Sequence, residues 1–320
     1  MRTFLSFFWH YGEGRFRAIL RLVLGLVLMA LVTGGMQLPL GWLFNLLPAD
    51  ISINLVTGIS YVVLTGGVTL GVFLVGMLID RRKFADYGLR ISRRWWQDFA
   101  FGLALGAGLI ALIFGVELGA GMVTITGFMN GQGESFWAGM GLSLVLFICV
   151  GIQEELTSRG YLITNLAEGL NGWVIKPRWA LGIAFGLSSV LFGYLHAANP
   201  GATPTSVFTT MLAGIFLGLG FMLTGQLAIP IGLHIAWNFF QGNVFGFPVS
   251  GSNAGATFVA IQQGGPEWLT GGAYGPEAGV IGLLAIALGS ALTVWYLHRR
   301  DGKVALEEEV AIYHTPDGMG

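Results

Sequence analysis

The chain has 320 residues, of which 54% are hydrophobic, 51 are glycine and only 10% are Asp, Glu, Lys or Arg. Water-soluble domains carry roughly a quarter charged residues, so this composition excludes a water-facing globule and describes a membrane protein. Sixteen basic and 17 acidic residues leave a formal charge of -1, which removes the electrostatic case for a nucleic-acid partner.

A helix needs about 20 consecutive apolar residues to cross hydrocarbon. Stretches near that length fall at 18–47, 55–79, 99–118, 136–157, 179–197, 206–225, 229–247 and 278–297, which predicts an all-α polytopic bundle of about eight spans. In the first, Gln37-Leu38-Pro39 is a candidate break. The start does not have the form of a cleaved signal peptide, because Tyr11, Glu13, Arg15 and Arg17 precede an apolar run of spanning length, and it is expected to be retained. The single cysteine, Cys149, lies in an apolar run and leaves no intramolecular disulfide or cysteine-based metal site to consider.

The cations are confined to positions 2–21, 81–94, 159–178 and 299–303, and none lies between Arg178 and Arg299. With eight crossings all four groups fall on one side, and the positive-inside rule then places both termini in the cytoplasm. The loop 80–98 mixes bases with Trp95 and Trp96, which suits a surface-lying anchor at anionic headgroups. Glu117 reads as interfacial and Glu168 as water-facing, while 248–277, rich in Gly, Ser, Asn and Pro and carrying Glu267 and Glu277, reads as an irregular external loop. The chain thus divides into amino-terminal helices with a basic cytoplasmic loop (1–135), a polar-bearing core (136–247), and an external loop, last span and cytoplasmic tail (248–320).

Ionisable groups inside apolar spans cost several kcal/mol unless paired or hydrated, and each is a functional hypothesis. Glu154 and Glu155 close one span, with Arg159 four residues after the second acid. At i and i+4 Glu155 and Arg159 are able to pair, while Glu154 points about 100° away and stays out of that pair. A carboxylate left in a low-dielectric cavity suits a general base, whereas the plainer reading has both acids and Arg159 ending a helix at the cytoplasmic surface. His196 ends the next span before an Asn-Pro-Gly stop, with Phe192 one turn earlier as a wall for its ring. His234 and Asn238 share one face at i and i+4; as neutral donors they suit a developing oxyanion or, equally, a bond to a neighbouring helix. A base, a second proton carrier and two donors are the parts that add water to an amide or ester.

Glu154-Glu155-xxx-Arg159, Phe192-xxx-His196 and His234-xxx-Asn238 resemble the EExxxR, FxxxH and HxxxN motifs of the CPBP family of intramembrane proteases, which includes type II CAAX prenyl endopeptidases and proteins related to bacteriocin self-immunity. The resemblance covers roughly residues 136 to 247. It implies a glutamate-dependent endopeptidase of a bacterial plasma membrane, in which Glu154 and His196 activate water, His234 and Asn238 hold the oxyanion, and Glu155 and Arg159 brace the site. Its partners are the lipid bilayer and a peptide or membrane-protein substrate. The family has also been described as metalloproteases, and Glu154, His196 and His234 are in principle able to bind zinc. The chain has no HExxH pair, so direct water activation without a cofactor is the preferred expectation. Two rival readings are a non-catalytic immunity or scaffold protein and a proton-coupled transporter. Simple parity puts His234 near the opposite membrane face from His196, unless the span ending at His196 stops inside the membrane at Asn199-Pro200, a break tolerated where it lines a protein cavity.

Overall fold

A computed structural model of the protein describes residues 7–46, 51–133, 135–172, 174–253 and 255–315. Among them seven helices are long and apolar enough to cross a membrane. They are α1 (Ala18–Phe44), α2 (Ile53–Val75, continued in π-helical form to Asp80), α3 (Arg93–Gly119), the rod Phe136–Leu170, α6 (Pro177–Leu195, with a 3-10 turn His196–Ala198), α7 (Pro204–Thr224) and α9 (Val280–Asp301). The protein is a multi-pass, mostly helical membrane bundle. Pro39 does not break α1, which continues to Phe44.

The eighth expected crossing is shorter. α8 (Ala228–Phe239) has 12 residues and a five-residue π-helical continuation, Phe240–Val244, and every residue from 228 to 237 is buried. A helix apolar all round is one enclosed by protein. The enclosure depends on missing side chains: a Cβ on Gly232 would lie 2.3 Å from Phe99 O, and one on Gly102 would lie 2.5 Å from Ile229 O. Small residues on both partners bring the α3 and α8 backbones into contact.

The rod Phe136–Leu170 corrects the expectation that the two acids close a span. α4 (Phe136–Glu155) passes into a π-helix, Leu156–Ile163, and then into α5 (Thr164–Leu170), so Glu154 and Glu155 lie in mid-rod. Hydropathy falls after Glu155 because the polar residues that follow are satisfied inside the protein. Arg159 pairs with Glu155, Asn165 donates to Asp80, and Glu168 receives Arg15, Arg21 and Arg82. Glu168 is therefore a buried acid holding three arginines together, not a water-facing one. Glu117 is likewise fully buried, with Gln263 donating to it at 2.8 Å.

The external segment is more regular than its composition suggests. Strand β1 (Val123–Asn130) pairs antiparallel with β2 (Thr257–Gln263), a hairpin-like ribbon whose halves lie far apart in sequence. Alternation in β2 buries Thr257 and Val259 and leaves Phe258 exposed, the period of a half-covered strand. At the other end, the start of α1, the 80–87 turn, α5 and the tail are tied by the Arg15, Arg21, Arg82, Asp80 and Glu168 cluster, with Tyr313 stacked on Arg15.

Candidate active site

The motif side chains come from three elements around one cavity of about 440 Å³. Glu154 and Glu155 stand on α4, Phe192 and His196 on α6 and its terminal turn, and His234 and Asn238 on α8. Glu154, Phe192, His196, His234 and Asn238 all line the cavity, and Glu155 and Arg159 lie behind its wall. The parity problem disappears because α8 is a short internal helix: its His234 stands beside Phe192, whose ring centroid is 6.2 Å from that of His234 and 4.7 Å from that of His196.

Glu155 and Arg159 are 0% and 1% exposed and pair at 3.0 Å, as the i, i+4 spacing dictates. Arg159 also donates to Gly214 O at 3.0 Å and lies 4.4 Å over the Phe192 ring. Two charges without water are tolerable only when their remaining donors and acceptors are occupied in this way. The same Glu155 Oε1 accepts from His234 Nδ1 at 2.8 Å. A carboxylate paired to an arginine accepts only, so Nδ1 carries the proton and Nε2 is left toward the cavity. It faces Glu154 Oε2 at 3.9 Å.

His196 is set in the same manner by a different partner. Its Nδ1–H donates to Phe192 O at 2.7 Å, and since a carbonyl cannot donate, its Nε2 holds the free lone pair of the neutral ring. Glu154 is 30% exposed, and its Oε2 is a buried atom to which no described residue donates. It is a carboxylate oxygen with unused accepting capacity at the wall of the cavity. Asn238, half-buried on the same wall, completes the set with an amide.

Zinc would need three donors converging on one point. Among the described residues no group of three or more His, Cys, Asp or Glu is placed to hold a metal ion. The residues as placed do not fit a preassembled zinc site.

Three contributors were not singled out from the sequence. Tyr61 on α2, Ser250 and Glu277 line the same cavity. Glu277 is 5% exposed; its Oε1 accepts from Ser250 N at 2.6 Å and its Oε2 from Gln241 Nε2 at 2.5 Å. Burial outweighs those hydrogen bonds and pushes its carboxyl up to about 7. An acid in a Gly- and Pro-rich loop carries no mark of burial in a single sequence; its place just before the start of a span, at Pro276-Glu277, was the one available signal.

Residues 135–240 match the family model described as type II CAAX prenyl endopeptidase Rce1-like. This part of the chain is similar to that family of membrane proteases, and it contains the motif residues that line the cavity, Glu154, Phe192, His196, His234 and Asn238. Ser250 and Glu277 lie beyond it. No solved structure matches the chain significantly.

Proposed function

We propose that the protein is an intramembrane endopeptidase in which Glu154 is the general base. The observation that carries this reading is the buried Oε2 of Glu154, to which no described residue donates a hydrogen bond, beside a cavity shared with two imidazoles of fixed orientation. Water held between Glu154 and the free Nε2 of His196 gives a proton to Glu154 as its oxygen attacks the substrate carbonyl carbon. The carbonyl oxygen becomes an oxyanion that accepts from Asn238 Nδ2 and from His234 Nε2. Donation from Nε2 as well as to Glu155 requires the ring to carry a proton on each nitrogen, and Glu154 and Glu155 stand on either side of it. When the C–N bond breaks, the proton passes from Glu154 to the leaving amine, directly or through His196. One water is consumed, and an acid and an amine are released.

Glu155 and Arg159 serve by position, holding His234 without touching substrate. The substrate is a peptide segment of another membrane protein or a free peptide, and the natural setting is a bacterial plasma membrane. Purified protein in liposomes, incubated with a random-sequence peptide library, tests the assignment. Glu154→Gln should remove cleavage by about 10²- to 10⁴-fold, the usual contribution of a positioned base. The unfolding temperature should stay unchanged, because no described residue donates to Glu154 Oε2. A chelator should leave wild-type cleavage intact; cleavage retained in Glu154→Gln, or lost on chelation, rejects the mechanism.

A further inference from the structure

We propose that the cavity is loaded from the extracytoplasmic side, so that the substrate is an extended peptide segment presented outside the cytoplasm. The inference rests on the protease reading for its substrate, but its geometry stands apart from catalysis. The helices alternate in direction, and their cation-bearing ends meet at one end of the bundle. There Arg94 pairs with Asp301, Arg15 with Glu168, Arg90 N donates to Gln226, and Asn171 donates to Ala311 O. The loops of the opposite end, 120–135, 199–203 and 245–279, contain no Lys or Arg. Charge asymmetry of this kind assigns the cation-rich end to the cytoplasm.

Every loop residue that lines the cavity belongs to the cation-free end: Asn199, Val249, Ser250, Ser252, Asn253 and Glu277. No described residue of the cytoplasmic turns at 81–92, 171–176 or 225–227 lines it. Between those turns and Glu155 lies a closely packed layer that includes Leu156, Ile163, Leu181, Ala184, Phe221 and Leu227, each at most 1% exposed, with Arg159 paired to Glu155 inside it. The rim is built as a fixed strap: Asn199 donates to Ser250 O at 3.1 Å, Ser250 N–H donates to Glu277, and Gly251, at φ 82°, packs where a Cβ would meet Pro200 O at 1.8 Å. Ser252 and Asn253 at its crest are exposed. Water and a peptide backbone therefore have polar loop surface to follow on one side and a packed core on the other.

Because Cys149 is the one native thiol, a Cys149→Ala background allows single cysteines to report sidedness. Ser252→Cys stands on the rim, Thr124→Cys on exposed β1 of the same end, and Lys303→Cys just past α9 at the other end. In intact cells a membrane-impermeant maleimide should label Ser252→Cys and Thr124→Cys, and Lys303→Cys only after the membrane is opened. The reverse pattern overturns the proposal, and Thr124→Cys decides it should Ser252→Cys fail to fold. Maleimide on Ser252→Cys should then suppress cleavage of the random-sequence peptide library, and on Lys303→Cys should not. Cleavage confined to peptide presented at the Lys303 face overturns the sidedness and leaves the protease standing. Outward labelling with no cleavage at either face leaves the sidedness standing and removes the protease.

Discussion

Glu155 accepts the Nδ1 proton of His234 at 2.8 Å across 79 positions of sequence, with the same oxygen that takes Arg159 at 3.0 Å. One carboxylate thus fixes the tautomer of a site imidazole and neutralises a buried guanidinium. Removing it should therefore act on stability and chemistry together.

Breaking a buried pair from one side costs about 3–5 kcal/mol, because the charge left behind is uncompensated. Glu155→Ala should lower the unfolding temperature in detergent markedly and reduce cleavage. The double variant Glu155→Ala, Arg159→Met should recover stability without recovering cleavage, since His234 stays unanchored. Equal unfolding temperatures for wild type and Glu155→Ala would show that the pair carries no structural burden.

Asn238 has a narrower role and should fail more narrowly. Loss of one oxyanion donor lowers kcat by about 10²- to 10³-fold. Asn238→Ala should show that fall with KM and unfolding temperature near wild type. A change confined to KM would make Asn238 a substrate-binding residue instead.

Glu277 gives the rim a pH dependence of definite sign. Its carboxyl is raised from 4.5 to about 7, so the folded chain holds the proton more tightly than the unfolded chain does. That contribution to stability is fully present below the unfolded value and is lost as pH rises through the folded one. Tyr274 is the titratable neighbour, and the bonds from Ser250 and Gln241 oppose the shift. Limited proteolysis of the 248–279 loop should be slower at about pH 5.5 than at about pH 8, and Glu277→Gln, neutral throughout, should flatten the difference. Faster digestion at the lower pH would give the opposite sign and refute the assignment.

Contact between α3 and α8 should be intolerant of even a methyl group. A Cβ on Gly232 would lie 2.3 Å from Phe99 O and 3.0 Å from Leu103 N, both backbone atoms that cannot swing away. Overpacking of this kind costs about 1–3 kcal/mol, and Gly232→Ala should also displace His234 two residues on. Thermal unfolding and cleavage should both fall, whereas Gly108→Ala on the open face of α3, with nothing within 4 Å, should change neither.

The spans were legible because hydropathy over about 20 residues is a direct record of the surrounding solvent. The Glu155–Arg159 pair was legible for the same local reason, since a four-residue spacing fixes one helical face. What the sequence did not display were partners set by distant segments. Glu168 looks solvated until Arg15, Arg21 and Arg82 are folded onto it, and Glu117 looks interfacial until Gln263 arrives from the external ribbon. The length of the rod beyond Glu155 was hidden because its polar residues lower the hydropathy of a stretch that is nonetheless inside the protein. Glu277 was hidden because nothing local distinguishes a loop acid under a strap from one in water.

The π-helical stretch Leu156–Ile163 lies between two polar levels of a single rod. Above it Glu155 is aimed at His234, and below it Asn165 and Glu168 are aimed at Asp80 and the three arginines. An α-helix advances about 100° per residue, so a rod of uniform winding fixes the angle between those levels by residue count alone. The wider turn acts as a vernier, taking up the one residue by which the count and the required angle disagree. Shortening it by that residue would swing one level out of register with its partners whenever the other was satisfied.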